Sequence, residues 1–224
     1  MSSAKRLTKI EVPFDFLTAT DVCYHYGEYA SDGRGYKASE TNQWISNLKK
    51  KPSAPSGQLH YKAKAIEYWA QILRELMPHA NCQNLTYVPM PGSKPVGHPD
   101  YDPRLQDVLK RYALGSQGID IRPVLRQATA RSAQHESGGR LTPDQLAQGM
   151  EVDTSQLTTP LRPLVIVFDD VLTMGATYKA AQSLLLPLPG VKVVRGVFLA
   201  RTVWPNPFAG VDLSEFIASM NASE

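Results

Sequence analysis

From Pro163 to Phe168 the chain reads PLVIVF, a β-branched apolar run that meets two adjacent carboxylates, Asp169 and Asp170, and resumes after a TMG turn as ATYKAAQSLLL. An apolar run without alternation predicts a strand covered on both faces, as in a parallel sheet. The acid pair then stands at the carboxyl end of that strand, and the segment from Ala176 predicts a helix. Upstream, Ala65, Ile66, Trp69, Ile72, Leu73 and Leu76 recur at helical spacing within YKAKAIEYWAQILRELM. They make one apolar stripe, whose expected use, Trp69 included, is core packing.

From Asn84 onward the strand patterns LTYVPM, IDIRPVL, LVIVFDD and VKVVRGVFLA alternate with the helix patterns YDPRLQDVLKRYA and ATYKAAQSLLL. Such alternation implies an α/β fold, a mainly parallel sheet flanked by helices. Residues 1–80 read as a mainly helical N-terminal extension, a hood or a partner-binding region, ahead of a core domain at 81–224. The extension holds the aromatic stretch CYHYGEYASDGRGY, a short helix in SETNQWISNLKKK that stops at Pro52, a Pro/Ser/Gly linker and the striped helix. The polar stretch 126–160 is too long for an ordinary connection and is expected to be a flexible loop that closes over a ligand. The final FAGVDLSEFIASMNASE is expected to form a closing helix.

Composition narrows the function. A balance of 24 basic against 21 acidic residues, net +3, is too even for an electrostatic footprint on nucleic acid. No run is long and apolar enough for a membrane span, and no secretory signal opens the chain. Cys23 and Cys82 are the only cysteines; they make neither a disulfide framework nor a zinc site, and a reduced, cytoplasmic setting is expected. His25, His60, His79 and His98 show no metal-ligand spacing.

The chemistry concentrates at DDVLTMGAT. A turn leading into a helix presents unpaired N–H groups that attract an anion. Gly175 permits the tight bend, and Thr173 and Thr177 supply hydroxyls. Carboxylates beside such a cradle suit the hydroxyls of a sugar phosphate and a hydrated Mg²⁺. An aspartate-nucleophile phosphatase needs alternate rather than adjacent acids, and no P-loop Gly-Lys pair is present. Helix capping by Asp and Thr remains the structural alternative, as an ordinary turn does for PGSKP.

An apolar strand, DD, two apolar residues and T-x-G-x-T resemble the signature of the type I phosphoribosyltransferases, which use phosphoribosyl pyrophosphate (PRPP). The resemblance covers residues 81–224 and is closest to the ComF-like branch, through VPMP before the first loop and the segment ending GGR; that branch's Cys-rich zinc module is absent. It implies transfer of the phosphoribosyl group to a base or amine acceptor with release of pyrophosphate. Asp169 and Asp170 would hold the ribose hydroxyls, directly or through Mg²⁺, and Thr173, Met174, Gly175, Ala176 and Thr177 the 5′-phosphate. Gly92, Ser93 and Lys94 would bind pyrophosphate, and Arg131, His135 and Arg140 would close over it. Met174 stands where the family often has a second threonine, and Thr173 where 6-oxopurine enzymes carry an acid, which argues against that acceptor class.

Other expectations remain beside this one. The domain could sense PRPP or a nucleotide without turnover and act through a protein or nucleic-acid partner; or its loop could be vestigial in a structural or nucleic-acid-associated protein. A homodimer or a protein partner could serve in either case. Tyr24, Tyr26, Tyr29, Tyr36 and Trp44, near Lys49, Lys50 and Lys51, could form a stacking surface for single strands, or a half-buried hairpin. Trp204 and Phe208 could shelter a base or pack in the core. Replacing Asp170 by Asn is expected to weaken binding of Mg²⁺-PRPP and to leave the fold intact.

Overall fold

The computed structural model describes residues 6–11, 14–31, 33–129 and 141–205. Its strands are β1 (Thr8–Lys9), β2 (Cys23–Ala30), β3 (Leu85–Pro89), β4 (Asp120–Ile121), β5 (Leu125–Gln127), β6 (Met150–Val152), β7 (Leu164–Leu172) and β8 (Val193–Val203). Its helices are α1 (Glu40–Leu48), α2 (Ser56–Leu76), α3 (Arg104–Ala113), α4 (Pro143–Gln148) and α5 (Ala176–Leu185). Six strands form one sheet in the order β1-β2-β8-β7-β3-β4. Every neighbouring pair is parallel except β1 with β2. This is the α/β architecture that the alternating pattern implies. The unbroken apolar run of β7 follows from its place between β8 and β3, with Val165, Val167 and Phe168 fully buried.

The first 80 residues correct the expectation of an extension, because they build part of the sheet. Strand β2 runs parallel to β8, from Cys23 opposite Gly196 to Ala30 opposite Val203. Helix α1 lies so close to β2 that a Cβ on Gly27 would stand 2.6 Å from the Thr41 hydroxyl oxygen. Ser39 caps α1, accepting from the Asn42 amide at 3.0 Å. The predicted stripe of α2 is buried at Ala65, Trp69, Ile72 and Leu73, and the Trp69 ring meets Tyr26 of β2 edge-on at 6.0 Å. Trp44 stacks on Tyr68 at 4.2 Å. Tyr26 and Trp44 are thus committed to packing, which takes them out of the proposed stacking surface for single strands.

The stretch 126–160 is also corrected at its described ends. Strand β5 pairs antiparallel with β6, and Thr142 and Gln145 form a reciprocal capping box at the start of α4. These ends are regular structure rather than an open loop. Arg131, His135, Arg140, Phe208 and the expected closing helix lie outside the described residues. Cys23 and Cys82 are buried free thiols, and among the described residues no helix is long and apolar enough to cross a membrane.

Candidate functional site

Strand β7 runs past the acid pair to Leu172, but only along β8. Its pairing with β3 ends at Pro89 opposite Phe168, while on the other side Leu172 still faces Arg201. The chain leaves β3 at Met90, whose amide donates to the Phe168 carbonyl at 2.9 Å. The acids therefore sit inside the strand, one step beyond the point where β3 turns away. This corrects the expectation that they end it, and it opens a crevice at the carboxyl edge of two neighbouring parallel strands, where α/β sheets bind ligands.

Successive residues of a strand face opposite ways, so the two acids do not share a surface. Asp170 meets the layer of α1, α2 and α3. Arg104, the first residue of α3, donates to Asp170 Oδ2 through Nε at 3.1 Å and Nη2 at 2.8 Å, and Lys49, just after α1, puts Nζ 3.0 Å from Oδ1. Arg104 Nη1 also donates to Asp102 Oδ2 at 3.1 Å. Buried Lys62 donates to both Asp102 oxygens at 2.7 Å and to the carbonyls of Leu48 and Lys50 at 3.0 and 2.7 Å. Lys62 thereby ties the carbonyl end of α1, and with it Lys49, to the β3–α3 connection. Burial raises the Asp170 carboxyl, but Lys49 and Arg104 outweigh it and hold the group below the usual carboxylate range.

Asp169 faces α5. It borders a narrow depression with Thr173, Gly175 and Thr177. Burial, and then the neighbouring Asp170 charge, push its carboxyl above the ordinary range, against the Asp170 amide that donates to its Oδ1 at 2.8 Å. Gly175 caps α5 at φ 90°, a left-handed conformation that favours glycine. Among the described residues, the amides of Gly175, Ala176 and Thr177 donate to no partner. They are the free donors expected at a helix start. The Phe16 amide straps the turn by donating to the Met174 carbonyl at 3.1 Å, and Leu17 packs against Gly175. The depression has about 10 Å³ free, room for about one water, so a phosphate must widen it.

The proposed pyrophosphate loop after β3 divides. Ser93 and Lys94 line a cavity of about 200 Å³ with Lys49, Lys51 and Arg104, against Asp100 and Asp102. Lys49 and Arg104 are engaged by Asp170 and Lys51 by Asp100, so Lys94 is the cation among these that leaves the pocket positive. Gly92 lies instead on a second, largely apolar cavity of about 200 Å³, with Met90, Tyr101, Pro123 and Leu125. A wider depression of about 580 Å³ adjoins Thr173 and Met174 and is walled by Phe14, Asp15, Arg201 and Trp204. Trp204 is half exposed, which speaks against the core-packing use expected of it.

Sequence reasoning missed Arg104, Asp102, Lys62 and the use of Lys49. Two signals were present. A cation at the first position of a helix opposes the macrodipole and calls for a carboxylate partner, and Lys62 stands in phase with the apolar stripe of α2. Among the described residues no three His, Cys, Asp or Glu side chains cluster as a metal site. Magnesium on a phosphorylated substrate asks for one or two carboxylates, which Asp169 and Asp170 can offer, the latter only where Lys49 yields. Comparison with protein-family models and with curated proteins found no match.

Proposed function

We propose that the protein binds PRPP and transfers its phosphoribosyl group to a nitrogenous acceptor, releasing pyrophosphate. The observation that carries this reading is a convergence at the carboxyl edge of β3 and β7. There a turn with free amides lies with Asp169 on one side of β7, and a pocket lined by four cations lies on the side of Asp170, which two of those cations, Lys49 and Arg104, hold. The amides of Gly175–Thr177 and the hydroxyls of Thr173 and Thr177 suit the 5′-phosphate. Asp169 accepts from the ribose hydroxyls, and Ser93, Lys94 and Arg104 hold the diphosphate. The depression beside Trp204 is of a size to take a planar acceptor, with the indole as one wall.

In the reaction the acceptor nitrogen bonds to the anomeric carbon as the bond to the diphosphate oxygen breaks. Pyrophosphate keeps the electron pair, and the acceptor loses its proton to solvent or a nearby base. The cations of the pocket stabilise the charge gathering on the leaving group. Mg²⁺ would be held by Asp169, or by Asp170 where Lys49 yields, and would supply Lewis-acid stabilisation of the leaving group.

Asp170, already engaged by Arg104 and Lys49, favours a second reading, in which the domain senses PRPP without turnover. One assay separates them: pyrophosphate release from PRPP with a panel of bases and amines, alongside calorimetric binding of PRPP. Release with one acceptor class supports the transferase. Binding without release across the panel supports the sensor, and no binding overturns both.

A further inference from the structure

The two oxygens of Asp170 are held differently. Oδ2 is gripped by Arg104, a planar fork whose side chain is 21% exposed and which is anchored again on Asp102. Oδ1 is met by Lys49 at 3.0 Å, on a flexible stem that is 40% exposed. Lys49 also lines the cavity it shares with Lys51, Ser93, Lys94 and Arg104. Among the described residues Lys94 makes no hydrogen bond or ion pair, so the pocket already carries one uncompensated charge. The Lys49 backbone is held in place, because Lys62 donates to the carbonyls on either side of it, Leu48 and Lys50.

We propose that Lys49 is a placeholder on Asp170. It occupies Oδ1 while the site is empty and turns to the diphosphate when substrate arrives, freeing that oxygen for the sugar diol or its cation. The inference rests on the sugar-phosphate reading above. A buried carboxylate left half-paired is costly, so the empty site keeps a cation there. A diphosphate in the adjoining pocket gives the ammonium a second anionic partner within reach of the same stem, and only the side chain has to move. The exchange links the two ends of the substrate. A sugar phosphate without its diphosphate must displace Lys49 with nothing to receive it, so the site prefers the activated sugar to its hydrolysed product. Lys49 is then a specificity-determining residue, contributed by the first 80 residues.

The test is calorimetry of wild type and Lys49→Gln with two probes, pyrophosphate and ribose 5-phosphate. The exchange predicts opposite signs: the variant binds pyrophosphate about tenfold more weakly and ribose 5-phosphate about threefold more tightly. In wild type, saturating pyrophosphate should tighten ribose 5-phosphate binding, and the reverse by the same factor; this needs no variant. If both probes weaken together in the variant, or neither changes, or the two ligands bind wild type independently, the placeholder is wrong while the sugar-phosphate reading stands. If wild type binds neither probe nor PRPP, both fall.

Discussion

At the scale of the residue, the acid pair divides its duties. Asp170 is 5% exposed and neutralised, which revises the expectation that its removal spares the fold. Asp170→Asn leaves Lys49 without its carboxylate and Arg104 with Asp102 alone, and should cost about 3 kcal/mol of stability, measured by urea denaturation. Asp169 has the opposite electrostatics. Its folded carboxyl is raised, so it supports folding while protonated and withdraws that support as pH climbs above the ordinary carboxylate range. Asp170, held low, supports folding above that range and loses its contribution as pH falls below it. Asp169→Asn should therefore raise the melting temperature relative to wild type more at about pH 8 than at about pH 4.5. A difference that does not vary with pH would show that Asp169 titrates normally.

At the scale of the element, the turn between β7 and α5 is the most constrained piece of the site. A Cβ on Gly175 would lie 2.7 Å from Leu17 Cδ2 at a φ of 90°, so Gly175→Ala should cost about 1–3 kcal/mol. Thermal melting checks this, and an unchanged melting temperature would mean that the turn relaxes freely. This strand-turn-helix was legible because its signals are local: an apolar run, a glycine and a helical period in consecutive residues. Strand β2 was not, because it pairs with β8 across the whole chain. Its burial alternates only from Cys23 to His25 before Gly27 breaks the pattern. The helix α4 was within reach, since T-P-D-Q spells a capping box, but the polarity around it suggested an open loop. Arg104 and Lys62 were legible as charges in the wrong place, but their partners, Asp170 for Arg104 and Asp102 for Lys62, are remote from them in sequence and become neighbours only through folding.

At the scale of the molecule, the partition into an extension and a core does not describe the sheet. Strand β2 covers the edge of β8 that would otherwise be open, and α2 brings Trp69 and Lys62 into the core. A fragment spanning 81–224 should fail to fold, giving collapsed amide dispersion in a proton–nitrogen spectrum, because an uncovered apolar strand edge is a pairing liability. A well-dispersed spectrum would restore the two-part view. The same interlock gives the site its character, since cations from before α2 and from α3 meet an acid from β7 at one edge. The central claim is that the turn after Leu172 seats the phosphate of a sugar phosphate. It is tested most directly by following the amides of Gly175, Ala176 and Thr177 by nuclear magnetic resonance as ribose 5-phosphate is added. The account predicts that these three shift together, in a saturable manner, as their free N–H groups acquire an acceptor; three resonances that stay in place at saturating ligand would contradict it.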